Sequence, residues 1–110
     1  MRGDPPRWLD IAKPKGRLVR APLLLVLQHH VITASTLIVA PLLPATGPGS
    51  LLAPVVVLGG NGYAADLLGL SAVPLSVLGE ILGSALDQAD AITDGLDAIF
   101  RGHPVGLPLL

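Results

Sequence analysis

Residues 84–102 read S-A-L-D-Q-A-D-A-I-T-D-G-L-D-A-I-F-R-G. Ala85, Ala89, Ile92, Leu96 and Ile99 recur at spacings of four, three, four and three, which stacks them on one side of a helix. Asp87, Asp90, Asp94 and Asp97 fall on another stripe. Ser84 stands where an N-cap belongs, with Asp87 three residues on as a variant of the capping box. Gly102 is placed to end the helix, and Gly95 weakens it by about 1 kcal/mol relative to Ala. Asp97 and Arg101, four apart, suit an ion pair. One amphipathic helix buries its stripe only against something else, so the rest of the chain has to supply a scaffold.

That scaffold reads as β. Val55-Val56-Val57-Leu58 is a strongly β-prone run, and Gly59-Gly60-Asn61-Gly62 follows it. Asn61-Gly62 is the favoured pair for a tight hairpin turn because both positions tolerate positive φ, so the chain is expected to reverse there and return through Tyr63–Leu70. Val73–Leu78 is another extended piece, since Pro74 biases Val73 away from helix. Upstream, Trp8–Ala12 is a short strand closed by Lys13-Pro14-Lys15-Gly16. Arg17–Gln28 has the apolar density of a strand buried on both faces. Val31-Ile32 and Leu37–Leu43 continue in the same style, and Pro44–Ser50 is a loop by composition. No internal repeat of solenoid or propeller length occurs.

The chain has 110 residues, 51% of them hydrophobic, with 13 Gly, 11 Pro and no Cys. This length fits one domain, here residues 8–102 between a frayed stretch at 1–7 and a tail at 103–110. The Gly and Pro content argues against a bundle of long helices. Without Cys there are no disulfides and no thiolate chemistry, which fits a reducing, cytoplasmic setting. Six of the seven basic residues lie in the first twenty, and no charged residue falls between Ala21 and Ala65. The uncharged middle raises a membrane alternative, but a spanning helix needs about 20 mostly apolar residues. Gln28-His29-His30, Pro41, Pro44, Pro48 and Pro54 interrupt the run.

The residues point away from catalysis and cofactors. His29-His30, taken as neighbours on a strand, face opposite ways and cannot chelate together, and His103 is the only other imidazole. The aspartate stripe supplies one helical face where a calcium ion wants six to eight oxygens around it. The glycine-rich segment lacks the Lys-Ser/Thr of a phosphate loop, and no Gly-x-Ser-x-Gly elbow occurs. Asp66 and Glu80 are the acidic candidates outside the helix, and they form no pair for acid and base work. Trp8, Tyr63 and Phe100 do not interleave with the basic residues as a nucleic-acid surface would require. A small β-rich binding domain with a C-terminal helix is what remains.

V-P-L-S-V-L-G-E (Val73–Glu80) followed by I-T-D-G-L-D-A-I-F-R-G (Ile92–Gly102) resembles the CcdB family of bacterial toxins, as does the spacing between the two pieces. The likeness extends to Pro54-Val55-Val56 through Gly59, to L-V-L-Q-H-H-V-I (Leu25–Ile32), to L-I-V-A-P-L (Leu37–Leu42) and to W-L-D-I-A-K-P (Trp8–Pro14). The resemblance implies a mainly β fold of the SH3-like barrel type: a five-stranded antiparallel sheet, a small wing sheet and a C-terminal helix. It implies a cytoplasmic homodimer that is not an enzyme. Such a toxin binds the A subunit of DNA gyrase, traps the enzyme on cleaved DNA, and is neutralised by a CcdA-like antitoxin. The family's gyrase contacts map to His29, Val31, Asp97, Arg101, Gly102 and His103.

Two departures stand out. Well-known members end in Trp-Gly-Ile, where this chain has Arg101-Gly102-His103 and continues to Leu110. Leu37 falls where relatives carry Arg and His30 where they carry Asp, which implies a lost ion pair and a more apolar surface. The departures leave open a CcdB-fold dimer that binds an antitoxin but has lost gyrase poisoning.

Overall fold

A computed structural model of the protein describes residues 6–30, 32 and 34–102. The elements are β1 (Asp10–Pro14), β2 (Leu23–Val26), β3 (Thr36–Pro44), β4 (Val55–Leu58), β5 (Asn61–Ala65), β6 (Ser71–Pro74), β7 (Leu78–Ser84) and α1 (Ala89–Arg101). Short 3-10 turns cover Leu67–Gly69, Leu75–Val77 and Leu86–Gln88. Every strand pair is antiparallel.

The nine-residue β3 organises the sheet. One of its edges pairs with β2 through Val39–Leu42. The other edge is shared: Thr36–Val39 pairs with β6, and Leu42–Pro44 pairs with β5. A five-stranded sheet therefore runs β6-β3-β2-β1-β7, and the β4-β5 hairpin is a wing on the far end of β3. The wing is hydrogen-bonded into the same sheet rather than standing apart as a second one.

The connectivity forces this sheet to curl. Its outer strands, β6 and β7, are joined by the three residues Leu75–Val77 alone. Four residue steps span at most about 14 Å, whereas a flat sheet would hold the outer strands four spacings, about 19 Å, apart. The Lys15 N–H donates to the Val77 carbonyl at 2.6 Å, and the Leu75 N–H donates to that of Ser35 at 3.0 Å. Register shifts between β1 and β7, at Ile11/Ala12 and Ala12/Pro14, supply the bend. The result is a mainly β half-barrel with a C-terminal helix.

Side-chain alternation then makes two cores. Leu23 and Leu25 of β2 join Ile11, Ala40, Leu42, Val56, Leu67 and Ile92 under the helix, while Leu24 and Val26 join Leu37, Val39, Val73 and Val77 inside the curl. All four residues of β2 are buried, as a strand covered on both faces requires.

Several local expectations need correction. The hairpin turns at Gly59-Gly60, not Asn61-Gly62: Leu58 pairs with Asn61, and the two glycines take φ of 59° and 82°, the signs of a type I′ turn. The return strand stops at Ala65, because Asp66 caps the 3-10 turn that follows through its Oδ1, which accepts from the Gly69 N–H at 3.2 Å. The extended piece Val73–Leu78 divides into the end of β6, a 3-10 turn and the start of β7. Only Leu23–Val26 of the stretch Arg17–Gln28 is strand, and β1 begins at Asp10 and runs through Pro14. Ser84 Oγ accepts from the Leu86 N–H at 3.2 Å, at the entry to the 3-10 turn whose N-cap position is Ala85, and α1 starts at Ala89 with Gln88 as an N-cap that makes no side-chain bond. Leu37 is buried in the second core, so it adds to the interior and not to the surface. Among the described residues, no helix is long and apolar enough to cross a membrane.

Candidate functional site

Gly95 fixes how α1 sits. A Cβ there would run into the Leu51 carbonyl oxygen and Leu67 Cδ1, so the glycine that weakens the isolated helix allows its close approach to the scaffold. Ile92 is fully buried, and Ala89, Leu96 and Ile99 pack against the same core. The expected apolar stripe is thus the docked face of the helix.

The helix ends free of this anchorage. Gly102 adopts φ 64°, and its N–H donates to the Ala98 carbonyl at 2.9 Å, closing the helix with a left-handed cap. Arg101 Nη2 donates to Asp97 Oδ2 at 3.0 Å, with both groups partly or largely in solvent. Between them Phe100 is 69% exposed. It lies off the stripe, and its exposure, unusual for a large aromatic, adds it to the candidate surface. Periodicity alone offered the signal, because Phe100 breaks the spacing that ends at Ile99.

His29 sits on a turn that follows β2. Gln28 holds this turn from both sides: its Nε2 donates to the Ile32 carbonyl at 3.2 Å and its Oε1 accepts from the Ile38 N–H at 3.3 Å. The Ile32 N–H donates to the His29 carbonyl at 3.0 Å. Because β2 ends at Val26, His29 and His30 do not alternate as strand neighbours. Their rings stack, with centroids 4.2 Å apart and planes 25° apart. Trp8 lies beyond His29 at a ring distance of 6.0 Å.

The segment that carries Trp8 is strained and firmly held. Leu9 is fully buried at φ 64°, a left-handed conformation that costs a non-glycine residue about 1–2 kcal/mol. The Leu9 N–H donates to the Val26 carbonyl and its carbonyl accepts from the Ala85 N–H, both at 2.8 Å. Asp10 is buried, its Oδ2 accepts from the Arg7 N–H at 2.8 Å, and its own N–H donates to the Arg7 carbonyl at 3.0 Å. These bonds tie the chain ahead of β1 to the ends of β2 and β7, so Trp8 is placed by backbone geometry.

The two candidate pieces flank one core, since Trp8 and Leu27 pack on the cluster that also receives Leu96 and Ile99. Val31 and His103 lie outside the described residues. A recess of about 130 Å³ beside the histidine pair is lined by His29, His30, Ile32, Ala34 and Leu37, which brings the two departing positions, His30 and Leu37, to one place. A broader, open depression of about 510 Å³ lies between Lys13, Lys15 and Glu80. Among the described residues, no group of three or more His, Cys, Asp or Glu is arranged to hold a metal. The arrangement offers a protein partner an exposed aromatic, a guanidinium and a pair of imidazoles.

No curated protein matches the chain. The family model described as CcdB protein matches residues 11–102. That span takes in the second core, the first core except Leu9, the wing and the whole of α1, and the chain belongs to the CcdB family of toxins.

Proposed function

We propose that this toxin binds the A subunit of DNA gyrase as a homodimer in the cytoplasm, traps the enzyme on cleaved DNA, and is released by a CcdA-like antitoxin. Binding, not bond-making, is the chemistry of the surface. The outward presentation of the last turn of α1 carries this reading: Phe100 is largely exposed at the end of a helix whose middle is packed closely on Leu51 and Leu67. An exposed aromatic beside an arginine is the composition of an interface hot spot. His29, Asp97, Arg101 and Gly102 form the described part of the contact surface, and Val31 and His103 complete the set carried by family likeness.

Purified protein added to gyrase, relaxed plasmid and ATP tests it. Supercoiling falls and cleaved DNA accumulates when the protein is a gyrase poison; unchanged supercoiling with no cleaved DNA refutes it.

One observation favours a second reading. Arg101, where well-known relatives carry Trp, is engaged by Asp97 at 3.0 Å. A dimer that binds its antitoxin and not gyrase is consistent with a tip whose charge is already paired. Antitoxin binding without growth arrest on expression would select it.

A further inference from the structure

The ring of His30 stands between two donors. Arg7 Nη2 lies 3.3 Å from its Nε2, and the Trp8 N–H lies 3.4 Å from its Nδ1. A neutral imidazole accepts at one nitrogen, and a protonated one accepts at neither. Protonation would therefore set two N–H groups against two donors and a positive ring against a guanidinium. The face of the same ring is stacked on His29, so whatever moves His30 removes one of the contacts that place His29.

We propose that neutral His30 is a positioning residue: held through its one acceptor nitrogen by either the Trp8 N–H or Arg7, it sets the His29 imidazole for its partner and lets go on taking a proton. The inference rests on the reading of His29 as a gyrase contact. The charged and titratable groups facing His30 are Arg7 and Asp10 from the segment ahead of β1, and His29 from its own turn. Loss of water, then Arg7, then His29 lower its proton affinity below the ordinary value, and Asp10 acts in the opposite direction. A ring whose pKa is lowered in the fold binds its proton more readily once released. The hydrogen bond that His30 accepts is thus present above about pH 6.5, the ordinary value for histidine, and is lost as pH falls through the lower value in the fold.

The full chain serves for the test. Proton–carbon spectra of the imidazoles, assigned with H29N and H30N, follow each ring from mildly alkaline to mildly acidic pH. His30 is expected to titrate below about 6.5, and R7Q to raise that midpoint. The His29 signals should respond at the His30 midpoint, a response absent in H30N. The chain has one tryptophan, so its fluorescence reports the same transition at Trp8. In the gyrase assay, cleaved DNA should fall across the His30 midpoint, and R7Q should move the fall to higher pH, a shift that gyrase's own pH response cannot produce. A His30 midpoint at or above about 6.5, or one that R7Q leaves in place, overturns this hold. Gyrase poisoning that ignores the His30 midpoint overturns its role in docking. A chain inert toward gyrase at every pH overturns the proposed function instead, and the spectra then decide the positioning of His29 alone.

Discussion

Along α1, Ile92 is fully buried and Gly95 lies against the Leu51 carbonyl and Leu67, while Phe100 and Arg101 stand in solvent. Both regions belong to one helix and obey one periodicity. The middle lies where the apolar stripe meets the sheet, and the last turn carries residues outside that stripe. Stability and the proposed recognition surface therefore belong to different turns, and substitutions should separate them.

The largest effect is expected at the anchored end. Ile92→Ala removes a fully buried side chain from the core under the helix and should destabilise the fold by about 2–5 kcal/mol, read as a lower urea midpoint with an unchanged slope. Leu96 is only partly buried, so the same truncation there should cost less. A small loss at Ile92 would mean that the helix is not held through this stripe.

Phe100→Ala sharpens the contrast from the other side. Removing a side chain that is 69% exposed should leave stability within about 0.5 kcal/mol. Gyrase affinity should fall by about 2 kcal/mol, roughly thirtyfold, if Phe100 is a hot spot. Urea unfolding and a surface-binding assay on the same preparation give both numbers. Equal losses in the two measurements would remove the distinction between anchor and tip.

Gly95→Ala should give a smaller change with a diagnostic sign. In a free helix Ala gains about 1 kcal/mol over Gly, but here its Cβ meets the Leu51 carbonyl, and overpacking costs about 1–3 kcal/mol. A net loss of about 1 kcal/mol is expected by urea unfolding. Stabilisation would show that α1 stands farther from the 51–53 turn.

The same contrast explains what could be read in advance. The docked face of α1 was legible because Ala89, Ile92, Leu96 and Ile99 obey a single period, and β2 because an unbroken apolar run suits a strand covered on both faces. The strand β7 was not, since Gly79, Glu80 and Gly83 dilute its β propensity and its exposed positions mix Glu80 with Leu82. Asn61-Gly62 lost the turn to Gly59-Gly60 through a competition of registers. A turn at Asn61-Gly62 would pair Val57 with Asp66, whereas the observed register frees Asp66 to cap the next turn and lets Leu67 be fully buried. His29 and His30 were misplaced because an apolar run does not show where hydrogen bonding stops. Phe100 was not placed in the site because a period identifies the residues that fit it.

The finest test lies within the tip. Asp97 and Arg101 are a surface i,i+4 pair, and such pairs contribute about 0.3–0.5 kcal/mol, less in salt. Asp97 also lies toward the negative end of the helix, where a carboxylate is unfavourable, so Asp97→Asn alone should change stability little. The double-mutant cycle of Asp97→Asn with Arg101→Ala isolates the pair, with an expected coupling of about 0.3–0.5 kcal/mol that shrinks at high salt. Read on gyrase affinity, the cycle should give a coupling no larger than this if each side chain meets the partner on its own. A larger coupling would make the pair one recognition unit, with Asp97 presenting Arg101 as the scaffold presents the helix. In that event the anchoring seen at Gly95 would continue, in weaker electrostatic form, to the last turn.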